Sequence, residues 1–198
     1  MEKEWTGNSK ATWSTVGASN HSDRERANND FYATHPANVD ALLKHEKFSE
    51  TIWEPACGQG HISKRLEERG YRVVSTDLYN RGYGTPGIDF LMTREMPSRA
   101  TDIITNPPYK WPLDFAKHGY ELLENDHKMA LLLRLQFLES KERYGFFVKA
   151  PPRHIYVFSY RAKCGVNGVF DAKASAVCYA WFVWEKGYKG DPIIKWIA

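Results

Sequence analysis

Four consecutive residues, Asn106, Pro107, Pro108 and Tyr109, combine the groups needed to hold a flat amino group. They follow the apolar stretch "DIIT", which predicts a buried strand, and open α/β sheets bind ligands at the carboxyl ends of parallel strands. The prolines fix φ and lack N–H donors, and the first restricts Asn106 to an extended conformation. The Asn106 side-chain oxygen and the Pro107 carbonyl then form two rigid acceptors beside an aromatic ring.

An exocyclic amino group is a weak nucleophile because its lone pair is delocalised into the neighbouring ring. Positive charge builds on the nitrogen when it attacks carbon, and fixed acceptors stabilise this charge more in the transition state than in the ground state. A flat ring stacked on Tyr109 gains a further ~1–3 kcal/mol. The stretch therefore predicts group transfer to a planar NH2, and a methyl sulfonium is the donor that this chemistry requires.

A glycine-rich turn, "EPACGQG", lies between a predicted strand and a predicted helix. Gly58 and Gly60 let the backbone turn tightly and approach a ligand, which then faces the free N–H groups at the helix start. Ser63 stands where the dinucleotide fingerprint has its third glycine. Glu54, at the beginning of the turn, suits an ammonium and would repel a pyrophosphate. The turn favours a positively charged cofactor over NAD, and a purely structural turn is the alternative.

The ends of the next two strands supply groups for a nucleoside. Asp77 ends a predicted strand and can accept both hydroxyl hydrogens of a ribose, while Leu78 can cover one face of an adenine. In "GIDFL", Asp89 can accept from an adenine amino group and Phe90 can stack on the ring. For Asp89, a solvated turn carboxylate is an equally open interpretation.

The elements that would position these groups alternate between strands and helices of about a dozen residues, which is typical of βαβ units and a parallel sheet. Strands are predicted in "TIWEP", "YRVVSTDLY", "TDIITNPP" and "KMALLLRLQF". An antiparallel pair at one edge is predicted for "RHIYVFSY" and "SAVCYAWFVWE", and an aromatic-rich loop for "FYATHP". Residues 1–30 are polar and predict a partly flexible arm ahead of one domain over residues 31–198.

The composition excludes several classes of protein. The chain has 198 residues, 42% hydrophobic and 26% charged, which is ordinary for a globular domain. It shows neither a secretory leader nor a run of about 18 apolar residues, so we expect a cytoplasmic protein without a membrane span. Its 3 cysteines and 7 histidines are scattered, which predicts neither disulfides nor a metal. A net charge of +3 permits nucleic-acid binding without requiring it.

Taken together, these motifs resemble those of the S-adenosylmethionine-dependent amino methyltransferases of DNA, especially small phage-type adenine methyltransferases. The resemblance covers about residue 30 to the end. "NPPY" is the catalytic motif of that family, "EPACGQG" looks like its cofactor motif, and "FYATHP" looks like the segment that contacts the methionine end of the cofactor. The resemblance implies a class I methyltransferase fold, which is a Rossmann-like, three-layer α/β fold with a seven-stranded, mostly parallel sheet and one antiparallel strand.

The resemblance also implies an activity and a set of site residues. The activity is transfer of a methyl group from S-adenosyl-L-methionine to N6 of adenine in DNA, in a bacterial or phage-infected cell. The implied catalytic residues are Asn106, Pro107, Pro108 and Tyr109. The implied cofactor-binding residues are Tyr32, Thr34, Pro36, Glu54, Pro55, Ala56, Gly58, Gly60, Asp77, Leu78, Asp89, Phe90 and Asn106.

Recognition of DNA would depend on a small surface, because the chain has no room for the target-recognition domain of restriction-type relatives. We expect it to involve the arm over residues 1–30 and a substrate-contacting insert over residues 160–175. The candidate phosphate and base contacts are Lys110, Trp111, Arg161, Lys163 and Lys173. Such a surface predicts short or relaxed sequence specificity, or an accessory partner.

Several alternatives remain open at the level of sequence. Enzymes with this motif also methylate ribosomal or transfer RNA and protein glutamine, and cytosine N4 offers a similar amine. A second class of alternative is a catalytically silent member that binds nucleic acid or a protein. The oligomeric state is not predicted.

Overall fold

The computed structural model describes residues 31–97, 99–166, 168, 170 and 177–198. The predicted arm and Lys173 lie outside the described residues. The strands are β1 Tyr32–Thr34, β2 Thr51–Glu54, β3 Arg72–Asp77, β4 Thr85–Pro86, β5 Asp102–Thr105, β6 Lys128–Arg134, β7 His154–Phe158, β8 Cys164–Val166, β9 Tyr179–Glu185 and β10 Ile193–Ile197. The α-helices are α1 Pro36–Leu43, α2 His61–Glu68, α3 Pro112–Leu122 and α4 Lys141–Lys149, and short 3-10 turns occupy Phe90–Met92 and Leu135–Leu138.

The main sheet of the described residues has the strand order β10-β7-β9-β6-β5-β2-β3-β4. Strand β9 runs antiparallel to both β6 and β7, and the remaining pairs are parallel. This mostly parallel arrangement confirms the predicted fold class. The sheet has one strand more than predicted, because β10 pairs with β7 and takes the edge that the β7–β9 pair was expected to occupy.

Two apolar cores flank the sheet, because successive strand residues point to opposite faces. Ile103 and Ile104 of β5 illustrate this alternation, since both are fully buried but belong to different cores. Helices α3 and α4 pack on the face of Ile103, and α1 and α2 pack on the face of Ile104. The carboxyl ends of β2, β3 and β5 therefore open at one edge of a three-layer structure.

The prediction of a loop at "FYATHP" is wrong, because Tyr32–Thr34 forms β1 and pairs antiparallel with β8. The register places Thr34 opposite Cys164. Such a pairing joins segments far apart in the chain, so local sequence does not indicate it. His35 then begins α1, since its Nδ1 accepts from the backbone N–H of Ala37 at 3.2 Å.

A buried polar cluster lies at the opposite end of the sheet, before β2 and at the starts of β6 and β7. Glu46 is 4% exposed and accepts hydrogen bonds from Lys128 Nζ at 2.9 Å and from the Tyr156 hydroxyl at 2.8 Å. His154 Nδ1 contacts the same carboxylate. This cluster contributes to stability far from the carboxyl ends of the strands.

No helix in the described part of the chain has the length and apolar character needed to cross a bilayer. The same residues contain no group of three or more His, Cys, Asp or Glu side chains that could hold a metal ion.

Candidate active site

A cavity of about 580 Å³ lies at the carboxyl ends of β2, β3 and β5. Its volume is in the range of small-molecule and cofactor sites. It brings together the predicted cofactor residues Tyr32, Thr34, Glu54, Pro55, Ala56, Asp77, Leu78, Asp89, Phe90 and Asn106, together with Pro107 and Pro108. Three predicted cofactor residues, Pro36, Gly58 and Gly60, do not line it, and neither does Tyr109.

The glycine-rich turn is fixed by the carboxylate of Asp77. Asp77 Oδ2 accepts from the Gly58 N–H and Oδ1 accepts from the Tyr79 N–H, both at 2.8 Å. Gly58 has a φ of 55°, and a Cβ there would overlap the ring of Phe31, which lies directly against the turn. A carboxylate has further lone pairs beyond those two bonds, so Asp77 can still accept from ribose hydroxyls.

Glu54 connects the end of β2 to the start of α2. It is 1% exposed, and its Oε2 accepts from the Ser63 N–H at 2.8 Å and from the Ser63 hydroxyl. Burial raises the pKa of the Glu54 carboxyl well above its usual range, and the nearby negative charge of Asp77 acts in the same direction. A buried carboxyl of this kind lining a cavity gains from the approach of a cation.

The residues proposed for the adenine end of a nucleoside have structural roles as well. Asp89 begins the 3-10 turn over Phe90–Met92, because its Oδ1 accepts from the Leu91 N–H at 3.0 Å. The Phe90 ring is 3% exposed and packs against Trp53 and Phe115 at centroid distances of 5.1 and 4.7 Å. Leu78, in contrast, is exposed and forms an accessible apolar part of the wall.

The two ends of the Asn106 amide have different environments. Its Nδ2 donates to the Tyr32 carbonyl at 2.8 Å, while Oδ1 is buried and receives no hydrogen bond from the described residues. The hydroxyl of Thr34, which also lines the cavity, is buried and unpaired among the same residues. Because a buried unpaired polar group costs about 1–3 kcal/mol, two such groups at one cavity indicate that a ligand completes the site.

The side chain of Tyr109 contacts Tyr32, Arg134 and Tyr179. It stacks on Tyr32 at a centroid distance of 4.5 Å and an interplanar angle of 28°. The Arg134 guanidinium carbon lies 4.5 Å from the ring centroid, and the hydroxyl lies 2.8 Å from the Tyr179 hydroxyl. The stacking surface expected for a substrate ring is thus shared with Tyr32 and Arg134 in this structure.

One wall of the cavity comes from residues that sequence reasoning did not assign to the site. They lie at the start of α3 and along one of its faces, and they are Asp114, Phe115, Lys117, His118 and Glu121. The spacing of three and four residues between Asp114, Lys117, His118 and Glu121 is the signal that could have identified a common polar face.

The candidate nucleic-acid contacts fall into two groups. Lys110 and Trp111 lie beside the catalytic stretch, with Lys110 Nζ 4.9 Å from the Trp111 ring centroid, and the half-exposed Trp111 lines the cavity. Arg161 and Lys163 are exposed but do not line it. Of the candidates that the structure describes, Trp111 lines the cavity, and Lys110, Arg161 and Lys163 do not.

The cysteines near the site are not nucleophiles. Burial raises the pKa of the Cys57 thiol to about 12, and the negative charges of Glu54 and Asp77 add to this effect. Burial likewise raises the pKa of Cys164 to about 12. Both therefore remain protonated thiols at neutral pH.

No protein-family profile matches the sequence, and no curated protein sequence matches it. Solved structures match it in fold. A "putative class I S-adenosylmethionine-dependent methyltransferase" from Listeria monocytogenes has a TM-score of 0.55 and 12% identity, over 94% of this chain and 71% of that chain. A "putative RNA methyltransferase" from Pyrococcus horikoshii has a TM-score of 0.57 and 13% identity, over 87% of this chain and 95% of that chain.

A third solved structure is a modification subunit of a "putative type I restriction enzyme" from Vibrio vulnificus, with a TM-score of 0.55 and 14% identity. The match covers 85% of this chain but 47% of that one, so this chain spans about half of its length. At such identities the likeness shows the fold alone. The chain has the class I S-adenosylmethionine-dependent methyltransferase fold, as the strand order also indicates.

Proposed function

We propose that this chain binds S-adenosyl-L-methionine in the 580 Å³ cavity and transfers its methyl group to N6 of adenine in DNA. The observation that carries the proposal is the buried Oδ1 of Asn106, which lines the cavity and has no hydrogen-bond partner in the described part of the chain. An acceptor held in this way, next to two prolines, fits a donor N–H of a planar amino group.

The lining of the cavity offers groups suited to each part of the cofactor. Glu54 offers a buried carboxyl to the cationic methionine end, and the unpaired Thr34 hydroxyl can bind there too. Asp77 can accept from the ribose hydroxyls, and Leu78 and Phe90 form apolar surface for the adenine. The cofactor would supply a methyl group on a sulfonium, which is the electrophile that a weakly nucleophilic amine requires.

The chain's own part in the reaction is to position the amine and to stabilise its developing charge. Asn106 Oδ1 and the Pro107 carbonyl would accept the two N–H donors of the amino group. As the nitrogen becomes positive, both hydrogen bonds strengthen, so they lower the barrier more than they tighten ground-state binding. The proton can leave after methyl transfer, so no strong base is needed.

The choice of adenine in DNA rests on the "NPPY" and "FYATHP" segments and on their resemblance to the DNA adenine methyltransferases. The similarity of fold to a restriction modification subunit is in keeping with DNA as the substrate. The similarity to a putative RNA methyltransferase keeps an RNA base as the second candidate. Cytosine N4 and protein glutamine present the same planar donor and are further outcomes of the test.

The test is methyl transfer from labelled S-adenosylmethionine to duplex DNA, single-stranded DNA, RNA and protein, followed by digestion and nucleoside or amino-acid analysis. We expect label in N6-methyldeoxyadenosine. Label in a ribonucleoside, in N4-methyldeoxycytidine or in methylglutamine would contradict adenine in DNA as the substrate but would support methyl transfer to a planar amino group.

A separate titration of cofactor binding distinguishes an enzyme from a silent member of the fold. We expect saturable binding of S-adenosylmethionine by calorimetry, and competition by S-adenosylhomocysteine. Absence of binding would contradict the assignment of the cofactor and therefore the proposed reaction.

A further inference from the structure

The antiparallel pair of β6 and β9 ends beside the catalytic stretch. Arg134 is the last residue of β6 and Tyr179 is the first residue of β9, and the two are directly opposite in the register. Both reach the same third residue, Tyr109. Neither residue was singled out by its sequence context, because their proximity depends on strand pairing.

Tyr179 holds the far end of the Tyr109 side chain. The two hydroxyls are 2.8 Å apart, and Tyr179 is 5% exposed, so this bond is largely shielded from water. A hydrogen bond at the para position restrains the ring from swinging about its Cα–Cβ bond, because the hydroxyl is the atom that would move furthest.

Arg134 acts on the face of the same ring. Its guanidinium carbon lies 4.5 Å from the Tyr109 centroid, within the range of cation–π attraction. The side chain is exposed to solvent and carries a positive charge beside the catalytic stretch. Together the two contacts restrain both the direction and the plane of the Tyr109 ring.

We infer that Tyr179 and Arg134 are positioning residues that hold the Tyr109 ring, and the Tyr32 ring stacked on it, beside Asn106 Oδ1 in the catalytic stretch. This inference rests on the proposed function. A reacting atom displaced by about 1 Å loses on the order of 100-fold in rate, so a restraint on the stacking ring affects turnover more than binding. Tyr179 and Arg134 do not line the cavity, so cofactor affinity should be independent of them.

The chain offers a matched control for the loss of a buried tyrosine hydroxyl. Tyr156 on β7 also pairs with β9, is fully buried, and donates to Glu46 at 2.8 Å in the cluster at the opposite end of the sheet. Tyr156→Phe therefore removes a buried tyrosine hydroxyl and its hydrogen bond without altering Tyr109. A purely structural role for Tyr179 predicts that the two Phe variants behave alike.

The experiment measures kcat, KM for DNA, cofactor Kd and thermal unfolding for Tyr179→Phe, Arg134→Gln, Arg134→Lys and Tyr156→Phe. We expect Tyr179→Phe to lower kcat by about 10-fold or more with cofactor Kd unchanged, whereas Tyr156→Phe leaves kcat unchanged. Arg134→Gln should lower kcat, and Arg134→Lys should restore part of the loss because it keeps the cation.

A double-mutant cycle tests whether Tyr179 acts through Tyr109. Tyr109→Phe keeps the ring but removes the same hydrogen bond, so the double variant should be no slower than the slower single variant. Three results would each overturn this inference without affecting the proposed function. They are additive losses in the double variant, a wild-type kcat in Tyr179→Phe, and equal losses of kcat in Tyr179→Phe and Tyr156→Phe. If the wild-type protein methylates none of the substrates, the proposed function is wrong, and so is the inference that rests on it.

Discussion

Asn106 and Tyr32 are separated by 74 residues in the chain, yet Asn106 Nδ2 donates to the Tyr32 carbonyl at 2.8 Å. This bond occupies the amide nitrogen, and Oδ1 has no hydrogen-bond partner among the residues that the structure describes. Strand β1 therefore decides which end of the amide faces the cavity. Tyr32 also stacks its ring on Tyr109, so β1 contacts both the first and the last residue of the catalytic stretch.

Replacing Asn106 with alanine removes the acceptor but leaves the walls of the cofactor cavity largely intact. We expect Asn106→Ala to reduce methyl transfer by about 100-fold or more, the loss typical of removing one group that stabilises transition-state charge. Cofactor affinity should change little, because the charged and ribose-binding groups come from β2 and β3. Single-turnover rates and calorimetric titration measure the two effects separately.

The control for this variant is Asn125→Ala, which changes an exposed asparagine outside the cavity lining. It should retain wild-type turnover and cofactor affinity. Full activity in Asn106→Ala would contradict the role given to the amide oxygen.

Residues adjacent in sequence were the predictable part of the site. Asn106 follows a strand with a recognisable apolar pattern, Glu54 and Asp77 end two others, and the structure places all three side chains at one cavity. The fold class followed from the same alternation of strands and helices.

The unpredicted features depend on pairing between distant segments. β1 pairs with β8, and Arg134 meets Tyr179 only because β6 and β9 are antiparallel with one particular register. Strand β10 was also missed, since a five-residue segment that is mostly exposed on an edge has no burial pattern to reveal it. Side-chain periodicity cannot specify which strands become neighbours.

A substitution at Gly58 tests whether the shape of the glycine-rich turn is needed for cofactor binding. Gly58 has a φ of 55°, and a Cβ there would overlap Phe31. We expect Gly58→Ala to weaken cofactor binding, because the turn and Phe31 must both move, and to destabilise the fold by about 1–2 kcal/mol through left-handed strain. Chemical denaturation and calorimetric titration measure these two losses.

Gly70→Ala provides the matched control. Gly70 has a φ of 90° after α2, and a Cβ there would meet nothing within 4 Å. It should show the cost of left-handed strain alone, about 1–2 kcal/mol, with wild-type cofactor affinity. Equal losses of affinity in both variants would show that the turn has no specific role in binding.

The buried carboxyl of Glu54 should make both stability and cofactor affinity depend on pH. Burial raises its pKa in the folded state above the ordinary value of 4.5, so the folded protein binds this proton more tightly than the unfolded chain does. Wild-type stability should therefore fall, relative to Glu54→Gln, as pH rises from 4.5 through the folded-state pKa. Thermal unfolding of both proteins between pH 4 and pH 8 measures this difference.

Cofactor affinity should respond in the opposite direction. A cationic ligand favours the ionised carboxylate, so wild-type affinity should increase with pH over the same interval, while Glu54→Gln binds weakly throughout. Parallel binding curves for the two proteins at every pH would exclude contact between Glu54 and the positive end of the ligand.

Glu46 is a buried carboxylate that should make stability depend on pH in the direction opposite to Glu54. Burial alone would raise its pKa, but the hydrogen bonds from Lys128 and Tyr156 outweigh burial and hold the pKa below 4.5. The stabilisation by Glu46 is therefore complete at neutral pH and is lost as pH falls through the folded-state pKa.

We expect Glu46→Gln to lower the free energy of unfolding by about 1.5–3 kcal/mol above pH 7, as for hydrogen bonds to a charged group, and to match the wild type once Glu46 is protonated. Urea unfolding of both proteins in steps downwards from pH 7.5 measures the difference, and a difference that does not shrink as pH falls would show that packing, not charge, accounts for the loss. Methyl transfer by Glu46→Gln should remain at the wild-type rate, because the cluster lies at the end of the sheet opposite the cavity.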